Sequence, residues 1–264
     1  MRRAVLAGAL VVGLTAGCGS ASSPGQALAG SSEQALNARS AKVSATATTG
    51  SMPPMRIDGS LSWVQGTTGE LTMGGLSPGE PTRAVFTEDA MYTSMPAQLQ
   101  SFMGGKAWGK LTYADAEKAY GPMGQLLTAA LGQTNPVRSA AMLRQAGDLT
   151  EVGEEQRGGV STTHYAGTIE LHKLVTDLNL GLTDEVLGQL RSEFDAMGIS
   201  AEHLELWLDE RGLPVHAEAS ADSPQLGKTT WAADYSDYGG PKPVTAPSAD
   251  QVYDMGGRLM ALPN

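Results

Sequence analysis

Between residues 203 and 219 the chain reads HLELWLDERGLPVHAEA, and apolar and polar side chains alternate through it. Leu204, Leu206 and Leu208 fall on one face, with His203, Glu205 and Asp209 on the other. The returning segment sets Leu213, Val215, Ala217 and Ala219 against His216, Glu218 and Ser220. A period of two is the mark of a half-buried strand, so the stretch predicts a β-hairpin. If the apolar sets share a face, Leu208 pairs with Leu213, Leu206 with Val215 and Leu204 with Ala217. A slip of one residue would put one set in water. The four-residue loop 209–212 then needs Gly212 at positive φ. Trp207 is the exception, an aromatic on the polar face.

The same alternation recurs at residues 42–48, 56–64, 70–76, 83–88, 90–95, 107–112, 149–155, 160–169 and 229–235. Pro and Gly clusters divide most of these segments, at the spacing of an antiparallel meander, and Arg157-Gly158-Gly159 predicts a turn. The period changes in two places. Met123, Leu126, Leu127, Ala130 and Leu131 form a helical stripe, and Asn135-Pro136 opens a second helix reaching about residue 145. Leu171, Leu174, Val175 and Leu178 form another stripe. Leu187, Leu190, Phe194 and Met197 form a fourth, capped by Thr183 and complemented by Asp184 and Glu185. A short helix is expected from Ser31, with Gln34 in capping-box position. The order is strands, helices, strands, helices, strands: an α+β protein with no βαβ repetition and no parallel sheet.

The N-terminus stands apart. Arg2 and Arg3 precede eleven apolar or small residues, 4–14, too few to span a bilayer. This is an export signal. Its end, Leu14-Thr15-Ala16-Gly17-Cys18, resembles the lipobox of bacterial lipoproteins, with Thr15 where an aliphatic residue is usual. The resemblance implies cleavage before Cys18, a diacylglyceryl group on its thiol and often an acyl group on the new amine. Two or more acyl chains anchor stably where one is marginal. Cys18 is the single cysteine of 264 residues, so the exported domain has no internal disulfide and no thiolate metal cluster. Residues 1–17 are thus the signal, 18–30 a small, polar, flexible tether, and 31–264 one domain.

Removing Arg2 and Arg3 from 18 basic residues leaves 16 against 28 acidic, a formal charge of −12. That argues against nucleic acid and against charge-driven adhesion to anionic lipid. Methionine is common, at 12 residues. It suits a cavity that adapts to variable acyl chains, and it equally suits gap-filling in a closed core by Met73, Met91, Met95, Met123 and Met197.

Three segments resemble a family: VGEEQRGGVSTTHYAGTIEL (152–171), LWLDERGLP (206–214) and WAADYSDYG (231–239), the last followed by Pro243-Val244 and Ala246-Pro247. They look like the strand-turn elements of actinobacterial lipoproteins of the LppX/LprG type, and Met91-Tyr92 and Trp108 fit as well. The resemblance implies a LolA/LolB-like fold, a curved antiparallel sheet or half-barrel wrapped around several α-helices. It implies lipid acyl chains held between sheet and helices. None of the matching segments is a catalytic signature.

A search for chemistry in the residues finds no enzyme. Glu205 opposite His216 and His203 opposite Glu218 would gather two histidines and two carboxylates, a set zinc could use. Opposite charges across strands are ordinary, however, and no HxxxH spacing occurs. His164 belongs to a strand and His172 to the polar side of a helix. The Gly-x-Ser-x-Gly elbow is absent, and Gly74-Gly75, Gly104-Gly105 and Gly158-Gly159 precede no phosphate-cradling helix. No cofactor is called for.

The expectation is therefore a monomeric lipoprotein, anchored through Cys18 to the outer face of the cell membrane, that binds and transfers or presents lipids. Its partners are an acyl lipid and the membrane, with no nucleic acid. Leu126, Leu127 and Leu131 from the first helical region, and Leu174, Leu178, Leu190 and Phe194 from the second, are expected to wall the cavity. The alternative is a closed-core surface lipoprotein acting through protein contacts, as an accessory or inhibitor subunit.

Overall fold

Alternating burial builds one open sheet. The computed structural model describes residues 22–64, 66–75, 80–121, 134–171, 183–240 and 244–259. Its strands are β1 (Ser40–Thr49), β2 (Met55–Ser62), β3 (Thr68–Gly74), β4 (Thr82–Phe86), β5 (Ala90–Ser94) and β6 (Trp108–Thr112). They continue with β7 (Thr150–Arg157), β8 (Val160–Glu170), β9 (Ala201–Asp209), β10 (Pro214–Ser223), β11 (Gly227–Ser236) and β12 (Val252–Asp254). The spatial order is β12-β6-β5-β4-β3-β2-β1-β11-β10-β9-β8-β7. Two meanders meet where β1 pairs with β11, Val43 opposite Tyr235. Every neighbouring pair is antiparallel except β12 on β6, a short parallel addition that the sequence pattern does not announce.

The inner face of the sheet carries the core. Val43, Ile57, Leu61, Leu71, Phe86, Leu204 and Leu206 are buried there beside Leu28 and Leu143 from the helices. Fully burying a leucine is worth roughly 1.5–3 kcal/mol. Around the β1–β11 seam the floor is made of small side chains: Ala41, Ala45, Ala217, Ala219, Ala221 and Ala233. Among the described residues the sheet has two free edges. One is β7, exposed along most of its length and carrying Glu151, Glu154 and Glu155; the other is the three-residue β12.

The described helices are α1 (Pro24–Ala38), α2 (Ala97–Gln100), α3 (Tyr113–Tyr120), α4 (Pro136–Leu143), α5 (Asp184–Met197) and α6 (Met255–Leu259). Helix α1 starts seven residues before the expected one, inside the stretch read as tether. Ser23 caps it: its Oγ accepts from the Gln26 N–H, and its own N–H donates to Gln26 Oε1 at 3.0 Å, with Pro24 in the first turn. The capping box thus lies at Ser23/Gln26, and Ser31 is a buried mid-helix residue. Trp63 pins the far end by donating its indole N–H to the Ala35 carbonyl at 2.9 Å.

The other caps follow the sequence. Asn135 Oδ1 accepts from Val137 N–H at 3.0 Å and Thr183 caps α5. Helix α4 stops at Leu143, sooner than expected, and packs on α1, β8, β9 and β10. The buried stripe of α5 includes Val186, which is fully buried; Phe194 and Met197 pack on the core. The expected stripe Met123–Leu131 and positions 172–178 of the next stripe lie outside the described residues.

Candidate functional site

The defining hairpin forms, two residues out of the expected register. Leu206 faces Ala217 and Leu204 faces Ala219, and an irregularity between Pro214 and His216 leaves Val215 unpaired. Proline has no N–H for the ladder and sits at bulges for that reason. The two apolar sets still share the inner face, so burial decided the face, and the turn and the bulge, one residue each, decided the pairing. Asp209 ties the turn: its Oδ1 accepts from Arg211 N–H and Leu213 N–H, both at 2.9 Å. Gly212 has φ +77°, as the loop requires. Tyr238 donates its hydroxyl to the Pro214 carbonyl at 2.7 Å, joining two of the segments that carry the family resemblance. Their shared residues are therefore structural ties.

A pocket opens between α4 and this part of the sheet. Ser139, Met142 and Leu143 cover it, Leu204 and Leu206 of β9 with Ala217 and Ala219 of β10 form its floor, and Trp231 of β11 closes one side. Its volume is about 90 Å³. Glu202 lies at its border, and burial raises that carboxyl above the usual range. Nearby, burial drives the Tyr235 hydroxyl far up, with Ser139 acting in the other direction. A larger hollow of about 680 Å³ lies beside the end of α1, bounded by Arg39, Phe86, Glu88, Asp89 and Val244. It is wide open and half polar, so it offers an acyl chain no dry wall.

Of the expected wall residues, Leu190 and Phe194 are half-buried on α5, and neither borders the pocket under α4. Leu126, Leu127, Leu131, Leu174, Leu178 and the anchor Cys18 lie outside the described residues. The residues that do line the pocket, Met142, Leu143, Leu204 and Leu206, read in the sequence as ordinary core. Only the shortness of Ala217 and Ala219 opposite them signals a space.

On the outer face the register gathers a polar cluster. His164, Trp207, His216 and Asp234 are successive cross-strand neighbours from β8 to β11. His216 places Nδ1 2.6 Å from Asp234 and Nε2 2.9 Å from Glu218. Arg157 holds Glu218 at 2.6 Å and lies over the Trp207 ring at 4.1 Å, while Glu155 accepts the indole N–H. Burial works to raise the Glu218 carboxyl, yet hydrogen bonds from His216 and Arg157 bring it below the usual range. The shift in register also changes the expected histidine–carboxylate pairs: Glu205 faces Glu218 and His203 faces Ser220. Among the described residues no three such side chains are placed to hold a metal ion. Among the described residues no helix is long and apolar enough to cross a membrane.

No family model matches the chain. It is 28% identical over 246 residues to an uncharacterised 31.2 kDa protein of Streptomyces griseus, spanning 89% of this chain and 80% of that one. It is 29% identical over 227 residues to a candidate lipoprotein of Streptomyces coelicolor, spanning 81% and 70%. LprF of Mycobacterium bovis superposes with a TM-score of 0.51 at 18% identity, over 86% of this chain and 97% of that one. Lipoprotein LppX of Mycobacterium tuberculosis gives 0.50 at 16%, over 84% and 100%. The chain is built on the fold of LppX and LprF, a large open antiparallel sheet with its helices packed inside it.

Proposed function

We propose that the chain is an exported lipoprotein, anchored through Cys18 to the outer face of the cell membrane, that binds lipid acyl chains between α4 and the inner face of the sheet. It moves or presents them and catalyses no reaction. The observation that carries this is the apolar pocket over the alanine floor of β10, in a fold shared with lipoproteins. Acyl chains make no hydrogen bonds, so a wall of Met142, Leu143, Leu204 and Leu206 suffices. Ordinary ligand sites span ~300–1,000 Å³, so lipid entry requires α4 to lift from the sheet. The Ser139 hydroxyl and the Glu202 carboxyl would then meet the polar end of the ligand.

The pocket volume of about 90 Å³ also favours a second reading, a closed core that acts through protein contacts. Native mass spectrometry of the purified protein, with extraction of co-purified lipid, separates the two. A bound mass in the acyl-lipid range supports the carrier. A bare chain that gains no lipid from vesicles supports the closed core.

A further inference from the structure

The open hollow of about 680 Å³ beside the end of α1 falls within the ~300–1,000 Å³ of ordinary ligand sites. It shares no lining residue with the pocket under α4. Strand register lays down its polar side. Ser40 of β1 faces Ser62 of β2, Ser62 faces Thr68 of β3, and Thr87 follows the pair Gly69–Phe86 one step past the end of β4. Four hydroxyl-bearing residues thus cross the ends of four strands in one row, and all four line the hollow. Arg39 precedes the row at β1, and Glu88 and Asp89 follow it at β4.

Both ends of the row are fixed before any ligand arrives. Arg39 donates its N–H to the Leu36 carbonyl at 3.2 Å, and its own carbonyl accepts from Trp63 N–H at 3.0 Å. At the other end, Tyr113 donates its hydroxyl to the Thr87 carbonyl at 3.1 Å and its N–H to the Asp89 carbonyl at 3.0 Å. Thr87 Oγ1 lies 2.8 Å from Asp89 Oδ1. Arg39 has φ +66°, at a helix end where glycine is usual. Glycine would relieve that strain and lose the guanidinium, and strain of this kind collects at binding sites.

We propose that this hollow binds a saccharide through its hydroxyl groups. The mixture of side chains selects that class. Arginine only donates hydrogen bonds, carboxylates only accept them, and serine and threonine do both. A sugar presents hydroxyls that donate and accept, so each of these groups finds a match. An anionic ligand would meet Glu88 and Asp89, and a cationic one would meet Arg39; an uncharged ligand avoids both like-charge contacts. Val64 and Val244 border the same hollow and give the C–H face of a sugar ring its apolar contact. The saccharide is free or is the headgroup of a glycolipid, since both present the same hydroxyls. Because the cavities are separate, binding here does not depend on lipid entering under α4.

The test is saturation-transfer NMR on the full chain in a sugar-free detergent, with methyl glucoside, methyl galactoside, methyl mannoside and maltose as millimolar probes. Transfer to at least one probe is expected. It should fall several-fold in Arg39→Gly and in Asp89→Asn. Glycine takes the Arg39 backbone conformation freely and asparagine keeps the shape of Asp89, so melting temperatures should hold while binding is lost. No transfer to any probe overturns the proposal, as does transfer that both variants leave unchanged. Stronger binding of inorganic phosphate than of every sugar overturns it in favour of an anion site. A second arm offers vesicles with and without a glucosyl diacylglycerol. Capture by the glycosylated vesicles alone, competed by the bound sugar, supports a headgroup; sugar binding without such capture supports a free saccharide. Ala217→Leu, altered only under α4, should bind the sugar as the wild type does, and a parallel loss would overturn a separate site. Lipid extracted from the same preparation scores the carrier reading on its own.

Discussion

The indole of Trp207 lies flat against the imidazole of His164, ring centroids 4.1 Å apart and planes within 13°. The contact explains an aromatic residue on the polar side of a strand. His216 meets the same ring edge-on at 5.0 Å and Arg157 covers it, leaving Trp207 only 3% exposed. The outer face thus has a small core of its own. Trp207→Ala is expected to cost ~3 kcal/mol, the scale of removing a large buried aromatic. Denaturant titration of the variant checks it, and a loss below a few tenths would show that the stack contributes nothing.

Gly212 has φ +77°, and a Cβ there would meet nothing closer than Gln34 Cγ at 4.0 Å. Any cost of substitution is therefore backbone strain alone. Gly212→Val is expected to destabilise by ~1–3 kcal/mol. Gly212→Asn should cost less, because asparagine tolerates the left-handed region. Thermal melts of the two variants settle the order.

Glu202 supplies a pH signature. Burial raises its carboxyl above the usual 4.5, so the folded chain holds this proton more tightly than the unfolded one. Such a group lowers stability as pH rises from the unfolded value through the folded one, and contributes nothing below both. Glu202→Gln should therefore leave stability unchanged in acid and raise it at neutral pH. Melting temperatures compared between about pH 4 and about pH 8 test this, and parallel curves would contradict it.

The pocket floor tests the carrier reading. Ala217→Leu adds volume beneath Met142 and Leu143. A chain that opens to admit lipid should lose bound lipid with little change in stability. A close-packed core should instead lose ~1–3 kcal/mol by overpacking. Lipid analysis and denaturation of one preparation distinguish these outcomes.

Cys18→Ser addresses anchoring. Without acylation the chain should pass from the membrane fraction to the soluble one, since the acyl chains are the expected anchor. Equal retention of the variant would place the anchor elsewhere.

Strand alternation made most of the sheet legible, because each strand buries one face. The register of the hairpin was not, because the turn sets Leu208 opposite Pro214, one residue on, and Val215, stepping out of the ladder, adds a second residue to the shift of the pairs beyond it. Leu206 kept its face and changed its partner. The start of α1 was hidden differently. Ser23-Pro24 carries the same cap-then-proline signal as Asn135-Pro136, but it sits in small, polar surroundings that look like linker. The pocket under α4 was least visible, since Leu143 and Leu206 have the same pattern whether they line a space or fill one. The ion pairs of His164 with Glu205 and of His216 with Asp234 needed the order of strands β8 to β11, which the pattern within one hairpin does not contain.

Among the described residues, the open sheet leaves β7 and β12 each with one bare edge. A bare strand edge is a template on which another chain can extend the ladder. At one edge, β7 turns Glu151, Glu154 and Glu155 into solvent and breaks its own register near Gly153. A second copy approaching that edge would bring like charges together along an irregular strand. At the other, β12 offers three residues, too few to seed a ladder. Both edges are thus guarded against aggregation, which lets the sheet stay open without closing into a barrel.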